Sequence, residues 1–271
     1  MHTNYTTGFA LELRSVRNIF IRDILRFFRD KARIIGSVMQ PVIFLGIFGV
    51  GLEATLNMSG GPGVGFNFVQ FMFPGIIATT TLGVALNTSI SIVTDREFGF
   101  LKEILVAPVS RASIMFGKIL SGIVIGLFQA ILLIVLSPIF GLEIVWSTIP
   151  GILFFSFLLS FAVTALGLFI ASRMRNAEGF QFVFQFLFFP MMFLSGAFFS
   201  LTNVPKWMEI LSTVNPLTYA VDGLRNIVFS DAPQQLRDSI INHSASMDMG
   251  IIIAFGMVMF ILAFWSFNRA E

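Results

Sequence analysis

Long apolar stretches separated by short polar segments make up most of this sequence. A helix needs about 20 residues to cross the ~30 Å hydrocarbon core of a bilayer. Six stretches reach that length, and they lie at 34–56, 68–94, 117–140, 149–172, 179–199 and 248–268. Because a segment in lipid must satisfy its own backbone hydrogen bonds, each stretch is predicted to be a helix. The pattern predicts an all-α polytopic membrane protein with six transmembrane helices.

Prolines in the first two stretches predict local distortions. Pro74-Gly75 lies near the start of the second, whose first turns are therefore predicted to tilt or unwind. Gln40-Pro41 predicts a kink in the first.

The segment that precedes the first stretch has a different pattern, with one apolar face and one basic face. Its apolar residues recur at helical spacing: Leu13, Val16, Phe20, Ile24 and Phe27. This pattern predicts an amphipathic helix over 9–30 that lies in the membrane interface, with its arginines near lipid phosphates. Two interpretations remain open: a plain membrane anchor, or a working part that also contacts a cytoplasmic partner.

The segment between the fifth and sixth stretches, 200–247, is predicted to be the only sizeable external piece, and it contains a second amphipathic pattern. Two short helical patterns flank Asn215-Pro216 within 203–229, and both are too short to span a bilayer. Asp222 and Arg225 lie on the polar side of the second and can pair at i, i+3. The pattern predicts an external re-entrant helical hairpin before the last span.

The distribution of Lys and Arg predicts the orientation of the chain. Fourteen of the 17 basic residues lie before the first stretch, after the second, after the fourth or after the sixth. The segments at 57–67 and 141–148 contain none. By the positive-inside rule, both termini are predicted to lie in the cytoplasm. The protein is predicted to lie in the plasma or inner membrane. The N-terminal sequence lacks the pattern of a cleaved signal peptide.

Composition excludes several classes of function. The chain is 56% hydrophobic and 12% charged, which is not the composition of a soluble domain. It has no cysteine, and neither His2 nor His243 has a neighbour at metal-ligand spacing, so no metal site is predicted. The sequence also lacks a phosphate-binding G-x-x-x-x-G-K-[ST] loop and any Ser/His/Asp arrangement. No catalytic residue is predicted, and the chain is predicted not to be an enzyme.

A charged segment, 94–118, lies between the second and third stretches. Seven of its residues are charged. Four apolar residues within it share one helical face: Phe98, Leu101, Ile104 and Leu105. Pro108 should end this helix by Ala107. The pattern predicts a short amphipathic helix over 97–106 that offers its apolar face to another protein, or else a solvated loop on the membrane.

Polar side chains form stripes on two of the predicted spans. The second span carries Thr80, Asn87, Ser91 and Thr94 on one face. The fifth carries Gln181, Gln185, Phe188, Met192 and Ser195. Such stripes can hold helices together through hydrogen bonds. They can equally line a pathway, in which amides bind polar groups while Phe and Met give an adaptable apolar wall.

Two motifs in this order among six spans resemble a known family. The segment at 95–120, DREFGFLKEILVAPVSRASIMFGKIL, looks like the charged cytoplasmic loop of that family. The segment at 215–229, NPLTYAVDGLRNIVF, looks like the segment that precedes the last span in that family. Together they resemble the membrane subunit of ABC-2 type ATP-binding cassette exporters, especially the daunorubicin-resistance-like permeases. The resemblance covers essentially the whole chain, 1–271, as a single transmembrane domain.

The resemblance implies an assembly and a set of site residues. Two permease subunits, taken as a homodimer, would work in the lipid membrane with two copies of a separate ATPase. That ATPase would hold the ATP and Mg; this chain would bind no cofactor and no nucleic acid. A connecting helix at 9–30 and a coupling helix at 97–106 would contact the ATPase. The coupling residues would be Arg96, Glu97, Phe98, Leu101, Lys102, Glu103, Ile104 and Leu105.

The same resemblance implies roles for the stripes and the hairpin. The second and fifth spans would face the dimer axis, with the substrate pathway lined by Thr80, Asn87, Ser91, Gln181, Gln185, Phe188 and Met192. The residues of the external hairpin that match the family's motif would be Asn215, Pro216 and Tyr219. The cargo is expected to be hydrophobic or amphiphilic, either drug or lipid-like. Three alternatives stay open: a polysaccharide or glycolipid exporter, an ion-coupled secondary transporter, and a membrane-embedded enzyme acting on lipids.

Overall fold

The computed structural model of the chain describes residues 8–49, 51, 68–99, 110–201 and 204–269. Within this part the regular secondary structure is entirely helical. The α-helices are α1 Phe9–Arg29, α2 Lys31–Ile43, α3 Phe68–Thr88, α4 Ile90–Glu97, α5 Arg111–Leu136, α6 Ile149–Arg173, α7 Ala177–Phe193, α8 Lys206–Val214, α9 Pro216–Val228, α10 Gln234–Ile240 and α11 Ala245–Arg269. A π-helical turn at Phe44–Gly49 extends α2, and 3₁₀ turns at Ser137–Phe140 and Trp146–Thr148 join α5 to α6.

Five segments of the described chain are long and apolar enough to cross a bilayer. They are Lys31–Gly49, Phe68–Glu97, Arg111–Phe140, Trp146–Arg173 and Gln234–Arg269. The apolar helix α7 has only 17 residues and so rises about 25 Å. The prediction of an all-α polytopic membrane protein is confirmed.

The prediction for the far end of the fifth span, 179–199, was wrong. Helix α7 ends at Phe193, and residues 194–199 form turns and bends. Pro190 has no amide to continue the helical hydrogen bonds. Gly196 then takes a left-handed conformation with φ +74°, which turns the chain back.

The second span breaks at a different place from the one that the sequence predicts. Helix α3 runs through Pro74 without unwinding. The break comes instead at Ser89, between α3 and α4. There the Ser89 side chain packs on Gly167 of α6, where a β-carbon would lie 2.5 Å from Ser89 Oγ. Helix α4 then carries the span on to Glu97.

Helix α6 lies at the centre of the bundle and packs against α3, α5 and α11. Glycines on α5 bring it close to α6: a β-carbon at Gly122 would collide with Thr164 Oγ1, and one at Gly126 would collide with Ser160 Oγ. Helix α1 packs along α5, where Gly117 admits Ile19. Close packing of this kind favours helix association in lipid, where the hydrophobic effect no longer distinguishes protein from solvent.

The two ends of the bundle differ in what they carry. One end, called the loop end here, carries α1, the end of α4 and the start of α5. At the opposite end, the hairpin end, α8 and α9 flank Asn215-Pro216, where the sequence predicts two short helices. Helix α9 is buried from Pro216 to Arg225 and packs among α3, α6 and α11, whereas α8 lies at the surface.

Candidate functional site

The predicted coupling helix is described only at its first residues. Helix α4 ends at Glu97, so this residue closes the second span and does not begin a new helix. Phe98 is 73% exposed, and Gly99 turns the chain with φ +82°. The other predicted coupling residues lie outside the described residues: Leu101, Lys102, Glu103, Ile104 and Leu105.

An ionic cluster lies beside this loop, formed by the buried Asp23, Asp95 and Lys118 and the partly exposed Arg22. Lys118 Nζ is 2.7 Å from Asp23 Oδ2 and 3.9 Å from Asp95 Oδ2. Arg22 Nη2 is 2.8 Å from Asp95 Oδ2 and 3.3 Å from Asp23 Oδ1. Lys118 Nζ also donates to Ser91 Oγ at 2.6 Å. The cluster therefore joins α1 to α4 and α5, immediately before and after the loop.

The charges of this cluster compensate one another. Lys118 is 3% exposed and Asp23 is 7% exposed, so both have lost most of their hydration. A buried charge is tolerated when it is paired and hydrogen-bonded, and two cations here meet two anions. Arg26 adds a longer contact, with Nη1 3.8 Å from Asp95 Oδ1.

Sequence reasoning missed this cluster, although one signal was present. Asp23 lies between Phe20 and Phe27 at helical spacing, on the face that the structure buries against α5. A carboxylate on an apolar face needs a cationic partner. The periodicity also placed Leu13 on this face, but Leu13 is exposed. In the sequence, Lys118 is only one of the basic residues that follow the second span. Its partner, Asp23, is distant in sequence and cannot be identified without the fold.

Arg96 and Glu97 bind the link between α6 and α7. Arg96 Nη1 donates to the carbonyl oxygens of Ser172 and Met174, at 3.1 and 2.7 Å. Glu97 Oε2 accepts from the amide of Ala177, the first residue of α7, at 3.0 Å. A cation at a helix C-terminus and an anion at an N-terminus satisfy free backbone groups and complement the helix dipoles. Both residues, expected to contact the ATPase, therefore bind other parts of this chain.

The C-terminal end of the loop is also held by hydrogen bonds from an arginine to backbone carbonyls at the end of a helix. Arg111, at the start of α5, donates to the carbonyl oxygens of Phe267 and Asn268, at 3.0 and 2.8 Å. These carbonyls lie at the end of α11. We call the five residues that flank the loop and make these contacts the loop junction: Asp95, Arg96, Glu97, Arg111 and Lys118. It attaches the two ends of the loop to α1, α6, α7 and α11.

Part of the predicted substrate pathway forms one cavity. The cavity has a volume of about 280 Å³ and lies between α2, α3 and α7. Thr80, Asn87 and Phe188 line it, as do Arg33 and Gln40. Phe188 stacks on Phe184 with ring centroids 5.5 Å apart, and it fits against Gly83 of α3.

The other predicted pathway residues do not line this cavity. Ser91 is buried and accepts the Lys118 hydrogen bond. Met192 lies with Thr80 at a smaller neighbouring cavity, whereas Gln181 and Gln185 line neither of the two. Thr80 and Thr94 donate back to carbonyls of their own helices, so they do not tie helices together. The sequence did not predict a further link between helices, which joins Ser37 of α2 to Gln129 of α5.

Comparison with known proteins decides the family. The sequence model of the family described as "ABC-2 type transporter" matches residues 14–229. The chain belongs to the ABC-2 type transporter family. The matched region runs from α1 through α9, so it contains the loop junction, the cavity and the hairpin.

Individual relatives of this ABC-2 type protein carry transport names. It is 29% identical over 259 residues to a putative transport permease, ycf38, of Cyanophora paradoxa, covering 91% of this chain and 88% of the relative. It is 27% identical over 215 residues to the inner membrane transport permease YadH of Escherichia coli K12, covering 78% and 81%. It is also 30% identical to the probable multidrug ABC transporter permease YbhR of the same organism, but over 61% of this chain and 45% of the relative.

These findings establish the general class of the chain. It is a multi-pass membrane protein and the membrane component of an ABC transporter, and its relatives are named transport permeases. ABC-2 type permeases normally work with an ABC ATPase.

The hairpin residues of this ABC-2 type protein fix α9 against its neighbours. The Asn215 side chain accepts from the amide of Leu217, in the first turn of α9, and donates to the Met191 carbonyl of α7 at 2.8 Å. Pro216 occupies the first turn, where a missing amide does not matter. Tyr219 donates from its hydroxyl to Thr213 O at 2.7 Å, which closes the hairpin.

A buried arginine completes the packing of α9. Arg225 donates to the Gly196 carbonyl and lies 4.1 Å from the centre of the Phe71 ring. Burial lowers the pKa of Arg225 to about 10, and the nearby Asp222 carboxylate opposes that shift. The side chain therefore stays charged at neutral pH, and it joins α9 to α3 through a cation–π contact.

Proposed function

We propose that this chain is the membrane-spanning permease subunit of an ATP-driven exporter. Two copies would work with two copies of a separate ATPase, which would bind the ATP and Mg. The loop end would face the cytoplasm, as the excess of Lys and Arg on that side predicts. The observation that carries this proposal is the loop junction, because it gives an external force on the loop a direct connection to four other helices.

The mechanism follows from how the loop is attached. Closure of the ATPase dimer would displace the loop, and the apolar side chains predicted on it, among them Leu101 and Ile104, would anchor the partner. Phe98 is available for this contact because it is exposed. Asp95 and Lys118 would pass the displacement to α1, while Arg96 and Glu97 would pass it to the link between α6 and α7. A partner can shift the permease between two states only by contacting those states differently.

The cavity between α2, α3 and α7 supports a hydrophobic or amphiphilic cargo. Apolar Phe188 forms one wall, while Arg33, Gln40 and Asn87 supply polar groups. Its volume of about 280 Å³ falls just below the roughly 300–1,000 Å³ of drug-sized sites. A second copy of the chain, placed against the exposed apolar side chains of α2 and α7, would enclose and enlarge it. Those side chains are Ile35, Met39, Ile43, Phe182, Phe186 and Phe189.

Changes in the loop test the coupling. We expect Leu101→Asp to abolish substrate-stimulated ATPase activity, because a carboxylate would replace an apolar anchor for the ATPase. Glu97→Ala should abolish it as well, because the loop would lose its attachment to α7. Both variants should still insert into the membrane at the wild-type level. The measurement is ATP hydrolysis by the purified complex in lipid nanodiscs, with and without substrate.

The matched control for Glu97→Ala is Glu178→Ala, which removes an exposed glutamate from the first turn of α7. This control should keep full stimulation. Unchanged stimulation in both Leu101→Asp and Glu97→Ala would remove the coupling role from the loop. Uphill transport by the isolated chain in liposomes without ATP would replace the proposal by an ion-coupled secondary transporter.

A change at the cavity tests the pathway. Asn87→Leu should weaken the apparent affinity for a stimulating lipophilic substrate about tenfold, because it removes a polar group and adds bulk to the cavity wall. Gln181→Leu, a change of the same kind on the α7 stripe but away from the cavity, should have little effect. Dose–response curves of ATPase stimulation measure both. Equal responses of the two variants would contradict the cavity as the pathway.

A further inference from the structure

Three side chains with metal-ligating groups meet at the hairpin end of the bundle. Asp222 comes from α9, His243 from the link between α10 and α11, and Asp248 from the first turn of α11. His243 Nδ1 lies 3.4 Å from Asp222 Oδ2 and 3.8 Å from Asp248 Oδ1. The three ligand atoms all lie within 4.8 Å of one another. Sequence reasoning dismissed His243 as a ligand, because its partners are not at short ligand spacing.

The backbone holds two of these three side chains in place. Asp222 accepts hydrogen bonds from the amide of Asn242, at 3.0 Å to each oxygen, and from the amide of His243, at 2.6 Å. The Asn226 side chain donates to the carbonyl oxygen of His243 at 3.0 Å. Tyr219 covers one side of the imidazole, with ring centroids 5.3 Å apart. The site is thus organised before any ligand arrives.

The third side chain, Asp248, lacks the partners that a buried carboxylate requires. It is 0% exposed, and neither of its oxygens accepts a hydrogen bond from any described residue. His243 Nδ1, which faces it, is likewise buried without a hydrogen bond in the described part. Buried polar atoms in native proteins are nearly always satisfied, so a group of orphaned atoms that face one another indicates a missing partner.

The arginine on the same helix as Asp222 does not supply this partner. Arg225 lies one helical turn from Asp222, but its Nη2 donates to Gly196 O and its guanidinium stacks on Phe71. Two carboxylates and one imidazole therefore share a buried space. A divalent cation bound there would neutralise the two carboxylates and accept a lone pair from each of the three groups.

The donor set identifies the class of cation. Imidazole nitrogen combined with carboxylate oxygen suits zinc and its first-row neighbours, whereas Mg²⁺ and Ca²⁺ prefer oxygen ligands alone. In a tetrahedral zinc site with bonds of ~2.1 Å, neighbouring ligand atoms lie about 3.4 Å apart. The two distances from His243 Nδ1, 3.4 and 3.8 Å, are close to this separation.

We propose that Asp222, His243 and Asp248 bind one zinc-class divalent ion, which joins the hairpin helix α9 to the last span α11. His243 is partly exposed and gives the ion a route from solvent. Water would complete a four-coordinate shell. The ion would fix α9 against α11 at the end of the bundle opposite the loop junction.

The probe for this site is the metal itself. Purified protein in detergent is stripped with a chelator, dialysed against micromolar Zn²⁺ and assayed for bound metal by mass spectrometry. Wild type should hold one zinc ion per chain and should show the intense visible absorption of tetrahedral cobalt when Co²⁺ replaces Zn²⁺. Loss of an outer hydrogen-bonding partner alone costs ~10-fold in metal affinity, so Asp248→Asn and His243→Gln should cost at least that. Asp238→Asn, at an exposed position on α10, should bind like wild type.

Thermal unfolding separates a ligand from a residue that only supports the fold. Zn²⁺ should raise the melting temperature of wild type and of Asp238→Asn, Mg²⁺ should not, and Asp248→Asn should not respond. Without metal, Asp248→Asn should melt at or above wild type, because an uncharged amide replaces an orphaned buried carboxylate. Wild type that binds no stoichiometric zinc, or Asp248→Asn that binds zinc as wild type does, would overturn the proposal. A metal-free Asp248→Asn that melts well below wild type would also overturn it, since that result makes Asp248 a structural residue only.

Discussion

Lys118→Met should destabilise the folded protein by about 3–5 kcal/mol, the usual cost of removing one partner from a buried ion pair. The substitution keeps the length of the side chain but leaves Asp23 and Asp95 with only Arg22 and a distant Arg26 to balance them. Asp23 is only 7% exposed, so it cannot recover its hydration. The measurement is equilibrium unfolding in mixed detergent micelles, followed by helical circular dichroism.

Two further variants make this result specific. Adding Asp23→Asn to Lys118→Met should recover part of the loss, because the unpaired carboxylate is then removed. Arg17→Met, at an exposed position on α1, should change stability by less than about 0.5 kcal/mol. If the lysine variant unfolds like wild type, the cluster does not hold α1 to the spans, and the mechanical connection proposed for the loop loses its main element.

Gly75→Ala should cost about 1–3 kcal/mol, the range for inserting a methyl group into a filled core. A β-carbon at Gly75 would lie 2.6 Å from both the Cα and the carbonyl oxygen of Ala197. These atoms are backbone, so they cannot rotate away as a side chain does. The substitution would push α3 away from the turn that follows α7, beside the Gly196 carbonyl that Arg225 binds. Equilibrium unfolding under the same conditions gives the change in free energy.

The control is the same substitution where space is open. Gly250 lies in α11, and a β-carbon added there would meet no atom within 4 Å among the described residues. Gly250→Ala should be neutral or stabilise the protein by up to ~1 kcal/mol, because alanine favours a helix more than glycine does. A loss at Gly250 equal to that at Gly75 would show that helix propensity and not the Ala197 contact controls the effect.

The coarse architecture followed from the sequence because lipid imposes it. A chain in a bilayer must form helices of a fixed minimum length, so apolar stretches predict spans without knowledge of their neighbours. The break at Asn215-Pro216 could be predicted for a similar local reason: proline lacks an amide and asparagine begins helices. The two motifs at 95–120 and 215–229 indicated the family. Where local rules failed, at Pro74 and at the end of α7, packing against other helices or a glycine turn decided the outcome.

The tertiary structure alone decided which polar groups meet. Asp23 and Lys118 are far apart in sequence, as are Asp222 and Asp248, and nothing local indicates that either pair shares a buried space. Arg96 and Glu97 looked like contacts for a partner protein, yet the fold directs them to the ends of α6 and α7. Periodicity gives the face of a helix on which a side chain lies, but not the helix that will cover it. Because the energy of a buried charge depends on that partner, the ionic cluster and the candidate zinc site became visible only in the folded chain.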